Sequence, residues 1–249
     1  MGHIDVVSER EFDDPVLVEG LPGVGLVGKI VADHLVGTLD MELYATVHCD
    51  GLPAAAAYAA DERGVTTPVR LYADADADLL VLQSDVPVSP DAAEEFAGCI
   101  EGWFREESVT PLYIAGLRAD RDDDDAEASP TLRGVAVGGA DGILDGLDVP
   151  EPESAGLVTG PTGALLAHAL ETDLPAVGLV VDSDPQFPDP VAARVVLESV
   201  VEPLTGVDVD AETLKTHADR IRRAKQQLAA QMQGGEENIS QAQQLRMYQ

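Results

Sequence analysis

The chain has 249 residues, with 15 Lys and Arg against 46 Asp and Glu, a formal net charge of −31, and 45% hydrophobic residues. That apolar share is enough for a real core and too high for a disordered acidic chain, and with no basic stripe to neutralise phosphates, nucleic-acid binding is not expected. No apolar run approaches the roughly 20 residues of a membrane helix, and residues 1–10 are polar and charged, unlike a signal peptide, so a cytoplasmic protein is expected.

The only lysines are Lys29, Lys215 and Lys225. Scarce lysine with abundant acid is the pattern of halophilic proteins working in molar salt, where a Debye length of about 3 Å screens self-repulsion. The alternative is an acidic surface that attracts a basic partner.

In chain order, residues 15–21 read as a short buried strand ending in a Gly/Pro turn, followed by a helix over 24–35 with Leu26, Ile30 and Val31 on one side. Strands follow at 41–48, 67–73 and 79–83, the last almost wholly apolar and so central. Ser89 is expected to cap a helix, with Pro90 in its first turn and apolar positions at Phe96, Ile100, Trp103 and Phe104. Residues 111–117 read as a strand, and the acidic stretch after Arg118 as a loop; the run 122–125 lacks the alternating ligands and turn Gly of a calcium site. Further on come a strand at 132–137, a helix opened by Gly160-Pro161-Thr162-Gly163, a strand at 176–181, and a helix from Pro188-Asp189-Pro190 through Val201. This alternation predicts a three-layer α/β domain with a mostly parallel sheet over residues 1–208.

Composition changes near Val209. Residues 209–233 read as a C-terminal helix with a stripe at Leu214, Ala218, Ile221, Lys225, Leu228 and Met232, and residues 234–249 as a flexible tail.

Few residue patterns carry chemistry. Cys49 and Cys99 form no CxxC, and two buried thiols in a reducing compartment are expected. His3, His34, His48, His168 and His217 show no HExxH spacing, and no metal site or cofactor is expected. Ser84 and Ser183 lie at strand ends but without a nucleophile elbow, so no catalytic residue is assigned and the chain is not expected to be an enzyme.

The segment Gly20-Leu21-Pro22-Gly23-Val24-Gly25-Leu26-Val27-Gly28-Lys29 follows a predicted strand and opens a predicted helix, the setting of two nucleotide-binding motifs. Gly23, Gly25 and Gly28 satisfy the dinucleotide fingerprint, but Asp40 and Glu42, the nearest acids for a ribose, fall at the start of a strand instead of its end. Residues 23–29 also approach a P-loop, yet Ile30 stands where a Mg²⁺-binding hydroxyl is required. One reading is a tight turn with close helix–sheet packing; the other is a nucleotide- or nucleoside-binding enzyme using this loop as a phosphate cradle.

The run VEGLPGVGLVGKIVADHL at 18–35 closely resembles the N-terminal signature of the archaeal proteasome assembly chaperone family. So do Asp50-Gly51-Leu52-Pro53, the Gly160–Gly163 helix start and the apolar strand near Val180, so that the resemblance spans roughly residues 5–205. The resemblance implies an α/β fold related to nucleoside phosphorylases, no known catalysis, and a homo-oligomer acting on proteasome α subunits or the α-ring. Met247-Tyr248-Gln249 resembles the hydrophobic–Tyr–X tail with which proteasome activators and assembly chaperones dock. A terminal carboxylate can pair with a pocket Lys while Tyr supplies apolar area and a hydroxyl. Residues 234–246 taken as a coil span about 20 Å, and about 45 Å fully extended, enough for such a tail to reach a pocket.

Overall fold

The computed structural model describes residues 2–8, 10–58, 63–119, 129–210 and 213–214. The acidic run 122–125, nearly all of the helix expected at 209–233, and the tail at 234–249 fall outside them. Met1–Ala211 forms one compact unit, and the elements named here belong to it; of the second unit, Glu212–Gln249, only Thr213 and Leu214 are among the described residues.

The elements are β1 (His3–Val6), β2 (Val16–Gly20), α1 (Val27–Thr38), β3 (Glu42–His48), β4 (Val69–Asp74), β5 (Leu79–Ser84), α2 (Ala93–Glu106), β6 (Thr110–Arg118), β7 (Leu132–Val137), α3 (Asp141–Gly146), α4 (Gly160–Thr172), β8 (Ala176–Ser183), α5 (Pro190–Val196) and α6 (Glu202–Thr205). One eight-stranded sheet has the order β1-β3-β4-β5-β2-β6-β8-β7. Its centre, β5-β2-β6-β8, is parallel, and the flanking strands pair antiparallel. The sheet is therefore mixed, with a parallel core, where a mostly parallel one was expected.

The central strands are buried on both faces, which is why β5 (Leu-Leu-Val-Leu) and β8 (Ala-Val-Gly-Leu-Val-Val) read as continuous apolar runs. Helices α2 and α4 pack together on one face over Leu17, Leu80, Leu82 and Tyr113. Helices α1 and α5 pack together on the other, burying Val31, Leu35, Ala193 and Val196.

Helix ends follow local chemistry. Asp91, Glu94 and Glu95 crowd the start of α2 and Arg105 its last turn, both favourable to the helix dipole. Ser89 does not cap through its side chain as expected; a 3₁₀ turn over Pro90–Ala92 starts the helix, with the Ala92 N–H donating to the Ser89 carbonyl at 3.0 Å. At α5 the cap is Asp189, whose carboxylate accepts from the Ala192 N–H at 3.1 Å. Helix α5 continues through a π turn at Leu197–Val201 into α6.

The cysteines are not free thiols. Cys49, just after β3, and Cys99 on α2 form a disulfide, with Cα atoms 5.9 Å apart. A separation of 50 residues and the absence of any paired spacing hid this contact in the sequence. No helix among the described residues is long and apolar enough to cross a membrane.

Candidate functional site

The signature segment leaves β2 at Gly20, turns through Pro22 and Gly23, makes a 3₁₀ turn over Val24–Leu26, and enters α1 at Val27. Its glycines are filled spaces. A Cβ at Gly20 would stand 2.3 Å from the Ala32 Cβ, and one at Gly28 would stand 2.9 Å from the Glu19 carbonyl oxygen. Gly25 has φ +63°, and a Cβ there would fall 1.8 Å from Ser183 Oγ. The Gly25 carbonyl accepts from the Asp189 N–H at 2.8 Å, so this loop interlocks with the one between β8 and α5. Gly23 is the exception, with open space around it.

Lys29 does not face open space either. Its ammonium contacts Asp33 at 2.9 Å and Asp85 at 3.2 Å. Asp85 also takes the Arg70 guanidinium at 2.5 Å, Arg70 reaches Gln83 at 2.7 Å, and Gln83 donates to Asp33 at 2.9 Å. Partial burial pushes the Asp85 carboxyl up, but Arg70 and Lys29 outweigh it and hold it below its ordinary value. Two carboxylates thus occupy the lysine that a phosphate cradle would need. Glu42 pairs with Arg10 at the start of β3, at the opposite end of the sheet from the loop. Two strands, β4 and β5, stand between β3 and β2.

Behind the loop lies a buried polar network. Glu19, fully buried on β2, accepts from the Leu21 N–H at 3.0 Å, the Ile114 N–H at 2.9 Å and the Thr162 hydroxyl at 3.4 Å. Burial pushes its carboxyl up to about 7 from an ordinary 4.5, against these three lowering bonds. Glu101 of α2, also fully buried, accepts from the Tyr113 hydroxyl and meets His168 Nδ1 at 2.7 Å. Burial raises it too, opposed by Tyr113 and His168. Tyr113, between the two acids, is raised by burial and then by Glu101. The network ties β2, β6, α2 and α4 into one interior. Its sequence signal was faint: an acid within the apolar run of β2, and another on the apolar stripe of α2.

Thr162 also lines a cleft of about 110 Å³ at the carboxyl ends of β2 and β6, with Gly23, Val24, Gly116, Leu157 and Val180. Small-molecule sites usually measure about 300–1,000 Å³. Ser84 and Ser183 are tied up locally, donating to the Val86 carbonyl at 2.6 Å and to Asp189 at 3.3 Å.

The loop is closely packed apart from Gly23, its lysine is held by two acids, and the cleft beside it is small. The family model for PAC2 matches residues 17–229. The chain belongs to the PAC2 family. It is 25% identical to PbaA of Pyrococcus furiosus, an archaeal homolog of proteasome-assembly chaperone, with a TM-score of 0.75, covering 99% of this chain and 100% of that one. It shares the fold of PbaB of Pyrococcus furiosus, an archaeal proteasome activator, at 22% identity and a TM-score of 0.76, covering 92% and 98% of the two chains. An uncharacterised protein of Methanocaldococcus jannaschii is 27% identical over 228 residues, 90% of this chain and 89% of that one. In this PAC2 chain the signature residues Gly20, Pro22, Gly23, Gly25, Gly28 and Lys29 lie within the matched span. Met247, Tyr248 and Gln249 lie beyond it and outside the described residues.

Proposed function

We propose that this PAC2 protein is a cytoplasmic, ATP-independent assembly chaperone of the proteasome that docks on the α-ring through Met247-Tyr248-Gln249. The observation that carries the reading is the end-to-end likeness to PbaA, a homolog of proteasome-assembly chaperone. The C-terminal tripeptide supplies the docking chemistry: a carboxylate for a pocket cation, and an aromatic ring with one hydroxyl. Preferential binding to a partly assembled state drives assembly by mass action and needs no nucleotide. The packed glycines and the double pairing of Lys29 with Asp33 and Asp85 support a nucleotide-free mechanism. One short tail binds weakly, and a homo-oligomer presenting several would gain through effective concentration.

The test is reassembly of purified proteasome α and β subunits in molar KCl, with and without this protein and without nucleotide. Faster appearance of assembled particles supports the reading. An unchanged rate, or an acceleration that requires ATP, would count against it.

A further inference from the structure

We infer that the edge of the sheet formed by β1 and β3 carries a binding site for a divalent transition-metal ion, with His3, Asp5 and His48 as ligands. The antiparallel register sets His3 directly across from His48 and Asp5 across from Thr46. Residues 3 and 5 share one face of β1 by the two-residue repeat of a strand, and residue 48 meets them from β3. Asp5 Oδ2 stands 3.4 Å from His3 Nε2 and 3.7 Å from His48 Nε2. All three donor atoms lie within 4.8 Å of one another.

The two carboxylate–imidazole separations approach the edge of a metal polyhedron. An ion held at about 2.1 Å by each donor in a tetrahedron puts neighbouring donors about 3.4 Å apart. The imidazoles stack with centroids 4.8 Å apart and planes 7° from parallel, so their in-plane lone pairs do not converge in this arrangement, and binding requires both exposed side chains to swing until the two rings tilt toward one ion. Thr46 Oγ1 lies 3.1 Å from His48 Nε2 and would turn to a metal-bound water when the ion takes that nitrogen. Two imidazoles and one carboxylate favour Zn²⁺, Co²⁺, Ni²⁺ or Cu²⁺ over Mg²⁺ and Ca²⁺, which prefer all-oxygen shells. Three protein ligands leave a position open to water.

The site would join the short edge strand β1 to β3, close to the disulfide. A Cβ at Gly2 would stand 2.6 Å from Cys99 Sγ and 2.9 Å from the Cys49 Cα, so β1 begins against that bridge. Ligands 45 residues apart leave no spacing motif, which is why the sequence pointed to no metal.

The experiment is a titration of the full chain with Co²⁺ in molar KCl, read by visible absorption and repeated as competition with Zn²⁺. High salt suppresses diffuse binding to the many surface carboxylates. The expected result is saturation at one Co²⁺ per chain, displaced by Zn²⁺. Affinity should fall at least tenfold in His48→Ala, His3→Ala and Asp5→Asn, and hold in His34→Gln. Amide exchange at residues 3–6 should slow when Zn²⁺ is added to the wild type. Absence of saturable binding, or saturable binding that survives the His3→Ala/His48→Ala double variant, would overturn the assignment. Failure here leaves proteasome binding untouched, since the tail and this edge are measured separately.

Discussion

At the scale of single residues, the signature loop is governed by close approach. Gly25 combines a left-handed backbone with a neighbour where its side chain would be. Gly25→Ala should therefore lower stability by about 3 kcal/mol, as backbone strain adds to an overlap with Ser183. Gly23→Ala, with open space around it, should cost much less; chemical denaturation of both variants in the same salt checks the contrast. Glu19 makes a different prediction. Its folded carboxyl titrates near 7 and its ordinary value is 4.5, so the folded state keeps the proton longer. The stability it contributes is fully present below about pH 4.5 and is lost as pH rises to about 7, in total about 3 kcal/mol. Glu19→Gln should flatten the stability profile across that window, with the raised Glu101 leaving some residual slope. An unchanged profile would show that Glu19 titrates normally. The glycines were legible from sequence as residues of a tight turn with close helix packing, but the contact of Gly25 with Ser183 was not, because Ser183 arrives from β8, far along the chain.

At the scale of elements, most strands and helices were legible because the parallel centre of the sheet is buried on both faces and its strands are uniformly apolar. Two elements were not. Strand β1 is four residues long, mostly exposed, and exists by pairing with β3; α3 is six residues with one buried residue, Leu144. Such elements owe their form to a neighbour and carry no periodicity of their own. The same limit hid the disulfide and the buried acid network, which join elements far apart in sequence. The Cys49–Cys99 bridge closes a loop of 50 residues. In the chain-entropy account that constraint is worth up to about 4 kcal/mol. Reductant should lower the melting midpoint of the wild type, and the Cys49→Ala/Cys99→Ala double variant should melt low and ignore reductant. A wild-type midpoint insensitive to full reduction would contradict a stabilising bridge.

At the scale of the whole molecule, a net charge of −31 on 249 residues makes self-repulsion a large term. Melting temperature should rise steeply between about 0.2 M and about 3 M KCl as the Debye length shrinks. A midpoint independent of salt would remove the halophilic reading of the composition. The PAC2 chain has an α/β body whose Gly-rich loop is closely packed, and the docking proposed here falls to the three C-terminal residues beyond the matched span. The most direct measurement is binding of purified proteasome core particle in molar KCl to the intact protein and to a version lacking residues 247–249. Saturable binding by the intact chain and its loss on truncation are expected. Binding that persists undiminished without Met247, Tyr248 and Gln249 would contradict tail docking and move the interface onto the α/β body.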